Sequence, residues 1–187
     1  MIAQGSDTRL APVSPPYDDG VARTLERLMG GVGAEPLALF RTIAHNPVLL
    51  DKLRSTGTYL LNFGTLEPID REIVILRTCA RCACEYEWGV HVAIFSESVG
   101  LTGEQITATV TGELRPFDAQ QGALVDLVDQ LHDTSTISDE LWARLQACYR
   151  DDQLVELVML VGQYHAVSFT ANALGVELEP FAPRFPI

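Results

Sequence analysis

The pattern of apolar and polar positions along the chain predicts helices and no strands. After Asp118, apolar side chains recur at the spacing of one helical face, namely Leu124, Leu127, Val128 and Leu131. Residues 70–81 and 154–174 are apolar nearly all round, which is typical of helices at the centre of a fold. No segment alternates apolar and polar residues over four or more positions next to a hairpin turn. The sequence therefore predicts an all-α fold.

Start and stop signals divide this pattern into eight or nine helices. Residues that cap or open a helix are expected at Asp18 or Asp19, Pro36, Asn46-Pro47, Asp70, Thr102, Asp118, Ser138, and Asp151 or Asp152. Glycines are expected to end helices at Gly30-Gly31 with Gly33, at Gly64, at Gly100 and at Gly175, and Gly57 is expected to interrupt the third helix. Residues 82–84 mark a break, after which a new helix is expected from Cys84 to Val99.

The domain organisation is expected to be simple. Residues 1–16 contain three prolines and no periodicity, so they are interpreted as an extended N-terminal arm that could wrap around a neighbouring molecule. The remaining residues, 17–187, are expected to form a single all-helical domain, because a chain of 187 residues suits one hydrophobic core.

Composition narrows the class of partner. Thirteen basic and 25 acidic residues give a net charge of −12, which disfavours nucleic acid and anionic membranes as partners. No run of about 18 apolar residues is present, and the first residues do not resemble a signal peptide. The four cysteines then indicate reduced thiols in a cytoplasmic protein. Lys52 is the only lysine and has polar neighbours, which argues against Schiff-base chemistry.

The residues with chemical potential follow the break at residues 82–84. Cys84, Glu87 and His91 stand at positions i, i+3 and i+7, so they project from one face of a helix. His91 is expected to reach back onto Glu87, and the helix N-terminus is expected to favour a thiolate at Cys84. Glu72 lies near the start of the preceding helix, where its carboxyl either faces solvent or points into a site.

Simpler interpretations exist for each of these residues. Free cysteines are usually buried as packing residues, and a Glu–His pair at i, i+4 is often only a surface pair. A zinc site would need Cys79, Cys82, Cys84 and His91 as ligands. Cys79 lies within a continuous helix, the Cys-x-Cys pair faces different ways, and no second Cys-x-x-Cys is present. No metal site is therefore expected.

A longer motif extends this pattern and resembles a known family. The stretch Arg71-Glu72-Ile73-Val74-Ile75-Leu76-Arg77, followed by Cys84-Glu85-Tyr86-Glu87-Trp88 and His91, resembles the carboxymuconolactone decarboxylase and alkylhydroperoxidase (AhpD-like) superfamily. Residues 40–47 look like its upstream helix pair, and residues 157–174, with Val161-Gly162-Gln163-Tyr164-His165, look like its closing helix. The resemblance covers about residues 35–180. It implies an all-α AhpD-like bundle that assembles as a homo-oligomer, commonly a trimer or hexamer.

The resemblance also assigns roles to individual residues. Glu72, Cys84 and His91 match the glutamate, first cysteine and histidine of the proton relay in the peroxidase branch. Glu87 replaces the second cysteine, and Tyr86 stands where that branch has another relay histidine, so the chain is interpreted as a Cys-x-x-Glu variant. Peroxidase turnover needs a second thiol to resolve the oxidised first one. Cys82, Cys148 or an external thiol would have to replace it.

These observations lead to one preferred function and two alternatives. The preferred one is a cofactor-free acid–base enzyme, of the lyase (decarboxylase) or isomerase type, acting on a small oxo-acid, lactone or polyketide-like substrate. The alternatives are a thiol-dependent alkylhydroperoxidase using Cys84 and a non-enzymatic oligomeric scaffold. The expected catalytic residues, converging in one partly buried pocket, are Glu72, Cys84, Glu87 and His91. The expected substrate-binding or secondary residues are Tyr86, Trp88 and His165.

Overall fold

The chain folds as a bundle of helices. The structure, a computed structural model, describes residues 8–29 and 35–186. Within these residues there are nine helices and no strand, which confirms the all-α prediction. The helices are α1 (Asp19–Leu28), α2 (Ala38–Ile43), α3 (Pro47–Asn62), α4 (Pro68–Arg81), α5 (Glu85–Phe95), α6 (Gly103–Thr111), α7 (Ala119–Thr134), α8 (Asp139–Gln146) and α9 (Asp151–Leu174).

Side-chain caps explain where several helices begin. The side chains of Asn46, Thr102, Asp118 and Ser138 each accept a hydrogen bond from a backbone N–H in the first turn of the following helix. Thr102 and Gln105 form a complete capping box at the start of α6. These four starts agree with the sequence prediction, because capping depends on residues that are neighbours in the chain.

Two predicted caps are wrong. Asp70 lies inside α4, which begins at Pro68, and its buried carboxylate accepts hydrogen bonds from Gln120 and Tyr149, both at 2.9 Å. Proline suits the first helical position, so α4 starts before the residue chosen as its cap. Helix α9 begins at Asp151 after Arg150 at the N-cap position, rather than after one of the two aspartates.

Two helices also differ from the predicted lengths. Helix α3 continues through Gly57. This glycine has no positive φ, and the space beside it is open, so the helix is not interrupted there. Helix α5 ends at Phe95 instead of Val99, and turns lead from there to Gly100, where φ is +79°. The glycines predicted to end α1, Gly30, Gly31 and Gly33, lie outside the described residues.

Helix α4 occupies the centre of the bundle. It packs against α5, α6, α7 and α9, and the side chains of residues 73–76 and Cys79 have no exposed surface. This agrees with the apolar pattern of residues 70–81. A residue on α4 can therefore meet side chains from several other helices.

The described part of the N-terminal arm lies along its own chain. The backbone N–H groups of Arg9 and Leu10 donate to the carbonyl of Leu174, and Val13 donates to the carbonyl of Arg41. Residues 8–13 are thus held against α2 and the end of α9. The expectation that the arm wraps around a neighbouring molecule gains no support from these contacts.

Helix α9 is the one described helix that is long and apolar enough to cross a membrane. Half of its most apolar stretch of 18 residues is buried inside the fold, where Leu157, Leu160 and Val161 pack in the core. Such burial is typical of a core helix in a soluble protein. A cytoplasmic location stays a prediction.

Candidate active site

The turn between α4 and α5 brings these two helices together. Cys82 ends α4, Ala83 adopts a left-handed conformation with φ of 50°, and Cys84 is the N-cap residue of α5. The backbone N–H of Cys84 donates to the carbonyl of Cys79 at 2.8 Å, which closes the turn. As a result α5 packs against α4, and side chains from the two helices can meet.

Glu72 on α4 and His91 on α5 form a buried hydrogen bond. His91 Nδ1 lies 2.7 Å from Glu72 Oε2, and both side chains are almost completely excluded from solvent. The other oxygen of Glu72 accepts from Arg71 Nε at 3.0 Å, and Arg71 also donates to the carbonyl of Leu61 at 2.7 Å. Glu72 is therefore held from both sides, and it fixes the orientation of the imidazole ring.

The second nitrogen of the imidazole has two partners. His91 Nε2 lies 3.1 Å from the hydroxyl of Tyr164 on α9 and 3.5 Å from Glu87 Oε1, one turn earlier on α5. The Tyr164 ring packs edge-on against the imidazole at 5.1 Å between centroids. Three helices thus place two carboxylates and a phenol around one histidine.

This environment favours the protonated form of His91. Burial lowers its pKa, but the charges of Glu72 and Glu87 and the hydrogen bonds to them outweigh that effect and raise the pKa to about 9. At neutral pH the ring is then an imidazolium that donates from both nitrogens. The pKa of Tyr164 is raised well above its ordinary value by burial and by the charges of Glu87 and Glu72, so the phenol keeps its proton.

A cavity of about 450 Å³ extends to the side chains around His91. Glu87, His91 and Tyr164 line it, whereas Glu72 lies behind His91 and is not in the wall. Most of the wall is apolar, with contributions from Leu28, Met29, Leu37, Leu39, Phe40, Leu53, Leu61, Val90, Ile94, Phe95 and Val167. The remaining polar side chains of the wall belong to Arg27, Thr58, Asn62 and Gln163. Such a cavity suits a small, largely apolar molecule with a few polar atoms.

Cys84 differs from the sequence expectation. Its side chain has no exposed surface and is not part of the cavity wall. Burial raises the pKa of the thiol to about 12, assisted by the charge of Glu87 and opposed by a backbone hydrogen bond in the first turn of α5. The expected thiolate stabilisation by the helix N-terminus is thus outweighed by desolvation, and the thiol stays protonated near neutral pH.

The three secondary residues lie away from the cavity wall. The Tyr86 hydroxyl donates to Glu179 at 2.7 Å and accepts from the backbone of Leu39 at 3.0 Å, and Trp88 donates to the hydroxyl of Thr109 at 3.0 Å. These contacts fasten α5 to its surroundings and give both residues a packing role. His165 instead lies beside His132 on α7.

Two residues that contact the Glu72–His91 pair were not predicted as site residues from the sequence. Tyr164 belongs to the quoted motif in the closing helix, but nothing in the sequence shows that its hydroxyl meets His91. Arg71 directly precedes Glu72, and its contact with that carboxylate depends on the side-chain conformations. A polar residue on the buried face of an otherwise apolar core helix was the available signal for Tyr164.

Comparisons with known proteins agree with the fold and the motif. The model of the carboxymuconolactone decarboxylase family matches residues 47–116, which contain Glu72, Cys84, Glu87 and His91. A peroxidase-related protein from Silicibacter sp. TM1040, itself uncharacterised, has a similar structure with a TM-score of 0.82, 17% sequence identity and full coverage of both chains.

Two further solved structures are similar over most of the chain. The debrominase Bmp8, in complex with 2,3,4-tribromopyrrole, gives a TM-score of 0.73 at 13% identity and covers 94% of each chain. A protein of unknown function from Agrobacterium tumefaciens, suggested to be the antioxidant defence protein AhpD, gives 0.67 at 18% identity, with 73% of this chain and 94% of that chain covered. No curated protein matches significantly. The family match over residues 47–116 and the shared fold confirm the resemblance to the carboxymuconolactone decarboxylase and alkylhydroperoxidase superfamily that was found in the sequence.

Proposed function

We propose that the protein is a cofactor-free acid–base enzyme of the lyase (decarboxylase) or isomerase type, acting on a small oxo-acid, lactone or polyketide-like substrate. The observation that supports this most strongly is the buried His91, which lies between Glu72 and Glu87 and lines a cavity of about 450 Å³. Such a group can donate and accept protons in a place where a small molecule fits.

His91 is suited to stabilise negative charge on a substrate oxygen. With a pKa of about 9 it is an imidazolium at neutral pH, and it lines the cavity as a charged donor. A carbonyl oxygen bound there would be polarised, and the enolate formed from it would accept a short, charge-assisted hydrogen bond. The hydroxyl of Tyr164 lies 3.1 Å from the same nitrogen and would be a second donor to the same oxygen.

Glu87 is the group placed to move the proton. Its carboxylate is 8% exposed, lines the cavity and lies 3.5 Å from His91 Nε2. In an isomerisation, Glu87 would take a proton from the carbon next to the carbonyl, leaving the electron pair in the enolate, and would return the proton to another carbon. Glu72 would act as a positioning residue, because it contacts His91 and lies outside the cavity wall.

The same arrangement can support a decarboxylation. When the carbon–carboxylate bond of a β-oxo acid breaks, CO₂ leaves and the bonding pair stays in an enolate, whose oxygen His91 would stabilise. A proton from the His91 imidazolium then forms the new C–H bond, and solvent restores that proton. Arg27 in the cavity wall offers a positive charge for a substrate carboxylate.

The thiol alternative has weaker support in the same geometry. The structural neighbours include a peroxidase-related protein and a suggested antioxidant protein, which favours a test of peroxidase activity. Cys84 would have to be a thiolate that a peroxide can reach, yet it is buried and its pKa is raised to about 12. The acid–base proposal needs no thiolate.

A deuterium-exchange assay with a panel of candidate substrates tests the proposal. The protein is incubated in D₂O with β-oxo acids, unsaturated lactone acids and 1,3-dicarbonyl compounds. Proton NMR then follows loss of the α-proton signal and release of the decarboxylated product. We expect His91→Ala and Glu87→Gln each to slow the reaction about 10²–10⁴-fold, the range for a positioned acid or base.

Two control variants make the result specific. Glu85→Gln removes the same charge from the first turn of α5, but Glu85 bonds to the backbone of Phe185 and to Arg184 outside the cavity wall, so the rate should stay near that of the wild type. Cys84→Ser should also leave most of the rate. The proposal fails if no compound of the panel exchanges while a hydroperoxide is consumed with a dithiol donor in a Cys84-dependent manner.

A further inference from the structure

Three ligand-type side chains meet outside the cavity described above. Cys82 at the end of α4, His132 on α7 and His165 on α9 each offer one atom, and these three atoms lie within 4.8 Å of one another. His132 Nδ1 and His165 Nε2 are 3.0 Å apart. Ligands of a tetrahedral zinc ion lie roughly 3.5 Å from each other, as follows from metal–ligand bonds of about 2.0–2.3 Å. The distances between these three atoms are therefore close to those between the ligand atoms of a bound zinc ion.

The hydrogen bonds orient His165 as metal-ligating histidines are oriented. His165 Nδ1 lies 2.9 Å from the carbonyl of Val161, one turn earlier on α9. A carbonyl only accepts, so Nδ1 bears the proton and Nε2 presents its lone pair toward His132. A backbone carbonyl that fixes the outer nitrogen is the usual support of a histidine ligand.

The surrounding charges permit a cation. Arg81, whose positive charge acts on both Cys82 and His132, is paired with Asp133 and lies 3.6 Å from Asp129, so acidic groups balance its charge. All three donor residues are half-buried, which leaves solvent access for an ion and for a further ligand. Within the described residues, these three are the sole group of such side chains with this spacing.

We propose that Cys82, His132 and His165 form a binding site for a divalent transition-metal ion of the zinc class, with one coordination position open to water or a small ligand. One thiolate and two imidazoles are a donor set that zinc, cobalt and copper accept. On binding, the thiol of Cys82 loses its proton to solvent, and the proton on His132 Nδ1 gives way to the metal while Nε2 takes one from water. Net release is one proton per ion.

Such an ion would join three helices that are distant in the sequence. It would connect the end of α4 to α7 and α9, next to the turn that places Cys84 and α5. None of the three residues lines the cavity, so this site is separate from the proposed acid–base group. The expected role is to stabilise the α4–α5 turn, and the inference does not depend on the proposed function.

Cobalt absorption tests the site on the full chain after treatment with a chelator. Co²⁺ is titrated into the protein, and we expect saturation at one ion per chain, with a near-ultraviolet thiolate charge-transfer band and intense visible bands of a tetrahedral site. One equivalent of Zn²⁺ should remove these bands, because zinc binds such sites more tightly than cobalt.

Variants of each donor assign the bands. Cys82→Ser should abolish the charge-transfer band, and His132→Gln and His165→Gln should each weaken Co²⁺ binding at least about tenfold, the loss typical even of outer-sphere partners. The matched controls are Cys148→Ser and His45→Gln, which alter the exposed thiol and an exposed histidine bound to the carbonyl of Ala11. Both should bind Co²⁺ like the wild type.

The inference is overturned if the wild type shows no charge-transfer band, or if Cys82→Ser keeps it. It is equally overturned if Cys148→Ser loses the band. Far-ultraviolet circular dichroism of each variant shows that it is folded. If Cys82→Ser does not fold, the two histidine variants decide, because they leave the thiol in place and must still lose tight binding.

Discussion

Glu72 and His91 form a 2.7 Å hydrogen bond between the first half of α4 and the middle of α5, in a place that solvent does not reach. The two residues are 19 positions apart, and no feature of either helix alone brings them together. The bond orients the imidazole, so Nε2 faces Tyr164 and Glu87, and the negative charge of Glu72 favours the imidazolium.

The raised pKa of His91 predicts a pH-dependent stability. The folded-state value is about 9 and the unfolded value about 6.5, so the stabilising contribution is complete below pH 6.5 and is lost as the pH rises through 9. The expected loss is on the order of 1–3 kcal/mol. Urea unfolding of the wild type and of His91→Gln between pH 6 and 10 measures it. An equal pH dependence in both proteins would contradict the prediction.

The two carboxylates should contribute unequally to the pKa of His91. The charge of Glu72 and its hydrogen bond have the larger raising effect, and Glu87 has the smaller. NMR titration of the His91 ring should therefore show a lower pKa in both Glu72→Gln and Glu87→Gln, with the larger decrease in Glu72→Gln. Glu85→Gln serves as the control and should leave the titration unchanged. The reverse order would mean that Glu87 is the dominant partner.

Cys84 should react slowly with alkylating reagents in the folded protein. Its thiol is buried and has a pKa raised to about 12, whereas Cys148 is exposed. Peptide mapping by mass spectrometry after brief iodoacetamide treatment at pH 7.5 should show rapid labelling of Cys148 and little of Cys84. In urea both should react at similar rates. Rapid labelling of Cys84 in the native protein, together with sulfenic acid formation under peroxide, would favour the peroxidase alternative.

The lack of a side chain at Gly64 is expected to allow close packing against the buried carboxylate of Glu156. A Cβ atom at this position would collide with Glu156 Oε1, while Glu156 Oε2 accepts from the backbone and hydroxyl of Thr65 at 2.7 and 2.8 Å. Gly64→Ala should lower the free energy of unfolding by about 1–3 kcal/mol. Gly162→Ala, in open space on α9, is the matched control and should be neutral or stabilising by up to about 1 kcal/mol. Urea denaturation compares the two.

A homo-oligomer, trimer or hexamer, stays a prediction. The side chains of Val155, Val158 and Met159 on α9 are 66%, 43% and 59% exposed, and their spacing places them on one face of the helix. Burial of this face between copies of the chain would remove the apolar surface from water. Sedimentation velocity at micromolar concentration should show a species larger than the 20.5 kDa monomer. A single monomeric boundary would contradict the prediction, and Met159→Arg should weaken any assembly that uses this face.

The helices could be predicted because their signals are local. Capping side chains bond to backbone groups three residues away, as Ser138 does with Leu141, so their effect is visible in the sequence. The predicted helix ends were wrong at Asp70 and Val99, where a proline or a turn decides the boundary. The pairing of Glu87 with His91 also follows from helical spacing, since both lie on α5 one turn apart.

The amino-acid sequence by itself determined the helical class, the central place of α4 and the one-turn spacing of Glu87 and His91. Only the tertiary structure decided that Tyr164 completes the group, that Cys84 is buried with a raised pKa, and that Cys82 meets His132 and His165. The physical reason is the distance along the chain over which each kind of interaction acts. Hydrogen bonds within a helix join residues a few positions apart, whereas desolvation and contacts between α4, α5, α7 and α9 depend on how distant segments pack.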